Sequence, residues 1–180
     1  MSITLILGGA RSGKSRRAEE LALAGDRPVA YVATCPSGTD PEMRERIAHH
    51  RASRPQGFKT VEDTYDLGAI AREHPDHCLI LDCLTLWLFV QTERQRSEAE
   101  ILAELETGLK GRGRARWVIV SNEIGLGVVP LSAETRAFRD LAGRANQRVA
   151  ALAEHVELMV AGVPLIVKQV TREGGSHASS

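Results

Sequence analysis

The sequence lacks a net charge, a cysteine framework and a long hydrophobic run, and each absence argues against a class of protein. Its 23 basic and 23 acidic residues cancel, whereas binding nucleic acid by bulk electrostatics needs surplus lysine and arginine. Three cysteines without a CxxC pair argue against a disulfide framework or zinc ribbon. The longest apolar stretch, 79–90, is interrupted by Asp82 and is too short for a membrane span. No signal segment opens the chain, so we expect a cytoplasmic protein without nucleic-acid partners.

Short β-branched runs alternate with longer helical patterns along the 180 residues. Predicted strands cover 3–7, 28–33, 58–62, 78–83, 116–121, 156–160 and 165–168. Predicted helices cover 14–24, 40–53, 66–73, two segments after residue 83, and 132–154. Continuous apolar strands alternating with helices indicate an α/β fold, with a mostly parallel sheet, helices on both faces and a closing hairpin around 162–164. We expect one domain over 1–170 and a disordered tail over 171–180.

The segment that follows the first predicted strand fits the P-loop pattern GxxxxGK[ST]. It consists of Gly8, Gly9, Ala10, Arg11, Ser12, Gly13, Lys14 and Ser15. In this context the glycines let backbone N–H groups surround phosphates, Lys14 reaches the β- and γ-phosphates, and Ser15 binds Mg²⁺. Lysine is scarce here, and of the four lysines only Lys14 has a chemical reason to be one.

A P-loop also needs an acidic group for the metal, usually at the end of an apolar strand. Asp82 occupies such a position, although an acidic residue there can also cap the following helix. Glu123 ends the next apolar strand and is either a rival or a supplement for the same role. The sequence therefore predicts a Mg²⁺ site at Ser15 and Asp82, with Glu123 as the alternative.

Two further segments remain open on pattern alone. Helical spacing over 41–53 turns His50 towards the apolar side and His49, with Arg46, towards solvent or a ligand. Histidines on a charged helix are usually surface residues, and spacing does not decide between that and a polyphosphate contact. The glycine-rich stretch 121–130 is equally consistent with a plain loop and with a backbone that closely approaches a ligand.

Several segments together resemble one family. GGARSGKSRRAE at 8–19, YVAT at 31–34, RIAHH at 46–50, SNEIGLGVVP at 121–130 and FRDLAGRANQRVA at 138–150 occur in order. This combination resembles the bifunctional adenosylcobinamide kinase/adenosylcobinamide-phosphate guanylyltransferases of cobalamin biosynthesis, from residue 3 to 168. The resemblance implies that a nucleoside triphosphate, ATP or GTP, phosphorylates adenosylcobinamide. GTP then gives its GMP moiety to that phosphate, which yields adenosylcobinamide-GDP and pyrophosphate.

The resemblance also implies residue roles. It places the histidine that carries the guanylyl group at His49, which reverses the reading from spacing alone. A neutral imidazole is a competent nucleophile, and a covalent intermediate divides the transfer into two steps. Further nucleotide contacts are implied at Ala33, Thr34, Cys35, His50, Arg51, Ala52, Ser53, Glu62 and Asp82. Asp82 departs from the pattern, since relatives often carry Glu there.

The resemblance further implies a RecA-like P-loop NTPase fold and a homo-oligomer, specifically a trimer. Two other functions fit parts of the sequence. Another small-metabolite P-loop kinase explains residues 8–15 but leaves RIAHH and NEIGLGVVP without a role. A non-catalytic GTP-binding switch usually carries an NKxD motif, which Asn122-Glu123-Ile124-Gly125 does not supply.

Overall fold

The structure is a computed structural model that describes residues 2–35, 45, 48, 51 and 54–170. Its strands are β1 (Ile3–Gly8), β2 (Val29–Ala33), β3 (Lys59–Val61), β4 (Cys78–Asp82), β5 (Arg116–Asn122), β6 (His155–Val160) and β7 (Val163–Gln169). Its helices are α1 (Lys14–Leu23), α2 (Leu67–Glu73), α3 (Leu84–Glu93), α4 (Glu98–Lys110) and α5 (Ala133–Leu152). Most of the predicted helix over 40–53, and all of the predicted tail, lie outside the described residues.

The seven strands form one sheet in the order β3-β2-β4-β5-β1-β6-β7. Strands β1 to β6 run parallel, and only β7 is antiparallel to its neighbour β6. The carboxyl ends of six strands therefore lie along a single edge of the sheet. Strand β5 separates β1 from β4, which are the strands that precede the P-loop segment and end at Asp82.

Alternate residues of the strands pack into two apolar layers, one on each face of the sheet. One layer combines strand residues with α2, α3, α4 and α5, and it includes the fully buried Trp87 and Trp117. The other layer contains Ala18 and Ala22 of α1 against residues such as Ile80 and Val118. The predicted parallel sheet with helices on both faces is therefore confirmed, and α1 lies on the face opposite the other four labelled helices.

Side-chain caps define the starts of three helices. Asp66 accepts a hydrogen bond from the Ala69 amide at 2.8 Å, and Ser132 accepts one from the Thr135 amide at 3.4 Å. Ser97 and Glu100 form a capping box at the start of α4. Each of these oxygens satisfies a backbone donor that has no partner within its own helix.

The closing hairpin is confirmed, but its turn lies earlier than the sequence predicts. The turn consists of Ala161 and Gly162, both with positive φ, and Pro164 already belongs to β7. Proline is accommodated there because β7 is an edge strand, where one row of N–H groups has no neighbouring strand. Among the described residues, no helix has the length and apolarity required to cross a membrane.

Candidate active site

The carboxyl edge of the sheet brings together most of the described residues that the sequence singles out. Residues 8–15 follow β1, 33–35 end β2, Glu62 follows β3 and Asp82 ends β4. His49, His50, Ala52 and Ser53 lie outside the described residues, so their predicted roles stay predictions. Binding sites of open α/β sheets characteristically lie at this edge.

The segment 8–15 forms a tight backbone loop that depends on glycine. A Cβ on Gly8, whose φ is +153°, would lie 2.7 Å from both the Met159 carbonyl oxygen and Ser12 Oγ. Gly13 has φ +94° and immediately precedes α1. The Gly162 amide donates to the Ser12 carbonyl at 3.1 Å, which joins the loop to the closing hairpin. The buried Ser12 Oγ has no hydrogen-bond partner within the described residues, as expected of a cradle shaped for an anion.

Lys14 is the first residue of α1, and its ammonium group turns back over the loop. The side chain is buried, and Nζ donates a hydrogen bond to the Gly9 carbonyl at 2.6 Å. Burial lowers the pKa of Lys14, whereas the nearby Cys83 and Asp82 raise it. The ammonium thus lies over the loop at the helix N-terminus, where a phosphate is stabilised by both the charge and the helix dipole.

A partly buried ion pair joins the first turn of α1 to the sheet. Arg17 donates two hydrogen bonds to Glu157 of β6, from Nε to Oε2 and from Nη2 to Oε1, each at 2.8 Å. His155 Nε2 also lies 2.8 Å from Glu157 Oε1. The bidentate bond of Arg17 lowers the pKa of Glu157, while burial raises it. This pair holds the helix that bears Lys14 in a defined orientation.

Tyr31 binds the Asp82 side chain from the β2 side, and Thr34 binds the backbone of the next residue, Cys83. The Tyr31 hydroxyl donates to Asp82 Oδ2, and burial raises the pKa of Tyr31 far above its ordinary value, so that it remains a donor. Thr34 Oγ1 donates to the Cys83 carbonyl and accepts from the Cys83 amide, both at 2.8 Å. Thr34 is fully buried, so the structure gives its side chain a supporting contact rather than an exposed surface.

Asp82 and Glu123 differ in what their carboxylates already bind. Glu123 Oε1 accepts from the Gly125 amide at 2.7 Å, which engages it in its own turn. Asp82 is close enough to Lys14 to influence its pKa. Among the described residues, no group of three or more His, Cys, Asp or Glu could hold a metal. A hydroxyl at Ser15 and a carboxylate at Asp82 fit Mg²⁺, which takes one or two protein oxygens beside phosphate oxygens.

The β2–β3 side of the edge carries two arginine contacts. Arg51 Nη2 lies 2.6 Å from Glu62 Oε2, an exposed ion pair between two residues with predicted nucleotide contacts. Arg54 stacks its guanidinium 3.8 Å above the centre of the Tyr31 ring. Sequence reasoning missed both Tyr31 and Arg54 as site residues. The tyrosine hydroxyl within an apolar strand was the available signal for the first, because a buried hydroxyl requires a partner.

Comparison with known proteins identifies relatives over nearly the whole chain. The family model described as cobinamide kinase / cobinamide phosphate guanyltransferase matches residues 4–167. The bifunctional adenosylcobalamin biosynthesis protein CobP of Pseudomonas aeruginosa is 46% identical over 169 residues, covering 91% of this chain and 96% of that protein. The protein CobU of Escherichia coli K12, described in the same words, is 41% identical over 181 residues, covering 91% and 98%.

Solved structures with a similar fold are far more distant in sequence. An ATPase of the type III secretion system of pathogenic bacteria has a TM-score of 0.58 at 12% identity, and the match covers 88% of this chain and 51% of that chain. The ATPase EscN of enteropathogenic E. coli has a TM-score of 0.55 at 10% identity, covering 89% and 43%. These likenesses concern the fold alone, and they confirm the predicted P-loop NTPase architecture.

Proposed function

This chain belongs to the cobinamide kinase / cobinamide phosphate guanyltransferase family, and we propose that the carboxyl edge around Gly8–Ser15 performs both reactions. The chain is accordingly a bifunctional kinase and guanylyltransferase of cobalamin biosynthesis. The observation that carries the proposal for the edge is the placement of Lys14 above a glycine cradle, at the same edge of the sheet as Asp82. The match over 4–167 leaves no room for a non-catalytic switch or an unrelated metabolite kinase.

In the kinase step the substrates are adenosylcobinamide and ATP or GTP. The aminopropanol hydroxyl oxygen attacks the γ-phosphorus, and the bond from that phosphorus to the β-phosphate oxygen breaks. The nucleoside diphosphate leaves, and the hydroxyl proton passes to solvent. The backbone N–H groups of residues 8–15 and the Lys14 ammonium bind the phosphate oxygens. Ser15 and Asp82 would hold Mg²⁺, which would neutralise charge on the phosphates. Tyr31 and Thr34 keep Asp82 and its neighbour Cys83 in place.

In the guanylyl step a His49 ring nitrogen attacks the α-phosphorus of GTP, and pyrophosphate leaves. A phosphate oxygen of adenosylcobinamide phosphate then attacks the guanylyl phosphorus, which breaks the bond to nitrogen and releases adenosylcobinamide-GDP. The family resemblance of RIAHH carries this assignment. The ion pair between Arg51 and Glu62 supports it, because it joins a residue two positions after His49 to the carboxyl edge. Ala33, Cys35, His50, Ala52 and Ser53 complete the proposed nucleotide contacts.

The test separates the two steps with single substitutions. Lys14→Ala should lose both activities by about 100-fold or more, since the principal phosphate cation is removed from both. His49→Ala should lose guanylylation while keeping most of the kinase activity. Incubation with α-phosphate-labelled GTP should leave an acid-labile, alkali-stable label on wild-type protein and none on His49→Ala. Lys110→Ala is the matched control, because Lys110 is exposed and, among the residues that the structure describes, pairs only with Glu106.

Two results would contradict the proposal. Full kinase activity in Lys14→Ala would remove the P-loop edge as the kinase site. Label retained on His49→Ala would move the covalent intermediate to another residue, since loss of the acceptor nitrogen must abolish the bond to phosphorus.

A homo-oligomer, a trimer by family resemblance, completes the proposed function. Strand β7 supports it, because four of its apolar residues (Val163, Leu165, Ile166 and Val167) are 56–65% exposed. Light scattering coupled to size exclusion should give a trimer mass for the wild type and a smaller mass for Leu165→Asp. Leu23→Asp, at a similarly exposed position on α1, is the control that should keep the wild-type mass. A monomeric wild type would contradict this part.

A further inference from the structure

Three buried polar side chains and the backbone of Asn122 form a hydrogen-bonded network beneath the carboxyl end of β5. Ser121 Oγ donates to Asn146 Oδ1 of α5 at 2.7 Å. Thr85 Oγ1 of α3 accepts a hydrogen bond from the Asn122 backbone N–H at 2.9 Å and lies 3.5 Å from Ser121 Oγ. Asn146 Nδ2 donates to the Asn122 carbonyl at 3.5 Å. Thr85, Ser121 and Asn146 are all buried.

The network fixes the backbone of Asn122 from both sides. Its N–H is bound by Thr85 and its C=O by Asn146, and these two side chains come from different helices. Folding alone does not require this arrangement, because apolar groups of the same shape in place of buried hydrogen-bonded pairs are nearly neutral for stability. The distinctive result of the network is a defined orientation for one residue at the end of a strand.

Asn122 ends β5, the strand that lies between β1, which leads into the P-loop, and β4, which ends at Asp82. In the sheet it is in register with Gly8, and the next amide, that of Glu123, donates to the Gly8 carbonyl at 3.0 Å. Its side-chain Nδ2 lies 3.9 Å from Cys83 Sγ, a weak contact that leaves the amide donors available. Cys83 directly follows Asp82 in the chain, so this contact places the Asn122 side chain beside the end of β4.

We propose that the Asn122 side-chain amide donates a hydrogen bond to the phosphoryl group in transit during the kinase step, and that Thr85 and Asn146 are its positioning residues. This inference rests on the proposed kinase site at the P-loop edge. A neutral amide donor adds to the stabilisation from Lys14 without a second buried positive charge. Asn122 neither takes nor gives a proton, so the bonds made and broken remain those of the kinase step.

The test uses paired threonine substitutions on α3. Thr85→Val removes the acceptor of the Asn122 backbone N–H. The kcat of the kinase step should then fall about 10-fold or more, because the side-chain amide of Asn122 is misplaced. KM for the nucleotide should stay within about twofold, since the interaction belongs to the transition state. Thr85→Ser keeps the hydroxyl and should restore kcat. Thr92→Val is the matched control, because Thr92 Oγ1 donates to the Leu88 carbonyl of the same helix at 3.0 Å and has no other acceptor within the described part of the chain.

Asn122→Ala provides the direct measurement and should lower kcat by about 100-fold with little change in KM. Wild-type kcat in Asn122→Ala, or a kcat for Thr85→Ser that is no better than for Thr85→Val, would overturn the inference. If Asn122→Ala does not fold, the threonine pair decides. Lys14→Ala distinguishes a failure of the inference about Asn122 from a failure of the proposed kinase site. An inactive Lys14→Ala beside a fully active Asn122→Ala would refute only the inference, whereas an active Lys14→Ala would refute the kinase site itself.

Discussion

The Arg17–Glu157 pair predicts an asymmetry between two substitutions that break the same ion pair. The Glu157 side chain is 2% exposed and the Arg17 side chain is 27% exposed. Arg17→Met therefore leaves a carboxylate in the sheet with His155 as its remaining partner. Glu157→Gln leaves a guanidinium that reaches solvent and lies 3.6 Å from Glu20. We expect Arg17→Met, which removes the more exposed partner, to be the more damaging of the two substitutions.

The magnitudes follow from the burial of whichever charge remains. Removal of one member of a buried pair costs about 3–5 kcal/mol, because the other charge stays desolvated. We expect about 3 kcal/mol for Arg17→Met, the lower end, since His155 still contacts the carboxylate. Glu157→Gln should cost about 1 kcal/mol, because the stranded arginine is hydrated and an amide replaces the carboxylate. A loss of about 3 kcal/mol is a large part of the 5–15 kcal/mol that stabilises a typical domain.

The pH dependence of the free energy of unfolding provides an independent test of the same ion pair. The bond from Arg17 holds the pKa of Glu157 below its ordinary value. This carboxylate therefore stabilises the wild type above its unfolded pKa, and the contribution is lost as the pH falls through the folded pKa. In Arg17→Met burial dominates and raises that pKa, so the remaining carboxylate destabilises the variant most at neutral pH. The difference in the free energy of unfolding between the wild type and Arg17→Met should be widest near about pH 7 and should narrow towards about pH 4.5.

Urea denaturation measures this directly, because the buried Trp87 and Trp117 report unfolding by fluorescence. The free energies of unfolding of both single variants and the double variant should be compared at the two pH values. The double variant should resemble Glu157→Gln, since neither leaves the carboxylate unpaired. A loss for Glu157→Gln that equals or exceeds that for Arg17→Met would refute the reasoning, as would a gap that is independent of pH.

Two further substitutions test the loop and the carboxylate. Gly8→Ala should destabilise the apo protein by about 2 kcal/mol or more through its clash with the Met159 carbonyl, whereas Gly9→Ala, whose Cβ meets nothing within 4 Å, should melt like the wild type. Tyr31→Phe keeps the ring but frees Asp82, and calorimetry should show nucleotide binding weakened about 10-fold with Mg²⁺ and unchanged without it. An equal loss without Mg²⁺ would contradict the role of Asp82.

The type of each helix and strand, and their order along the chain, could be predicted because the sequence signals are local. Asp66 and Ser132 cap helices that the sequence predicts to begin there, and the glycines after β1 mark the end of that strand. Pro164 was placed wrongly, because a proline favours a turn locally while an edge strand tolerates it. The order of the strands within the sheet could not be predicted, since it depends on pairing between segments that are distant along the chain.

The candidate site, like the fold, could be predicted from the sequence only in part. The P-loop is contiguous, so its residues and their chemistry could be predicted from the sequence. The contacts of Asp82 with Tyr31 and of Asn122 with Asn146 join residues 51 and 24 positions apart, and no local pattern contains them. One signal was present: Asn146 lies on the apolar stripe of α5, beside Ala142 and Val149. A polar residue in such a stripe requires a partner, but the sequence does not say which.

The central place of β5 also sets the scale of the site. Neighbouring strands lie about 4.8 Å apart, so a strand between β1 and β4 separates the ends of those strands by about 10 Å. Directly paired strands would leave about half that distance, too narrow for a phosphate chain beside a hydrated cation. The width is determined by main-chain hydrogen bonds along β5, in register with Gly8 on one side and with Asp82 on the other. Side-chain substitutions can change what lines this gap, but only an added or deleted residue in β5 would change how the two walls are aligned.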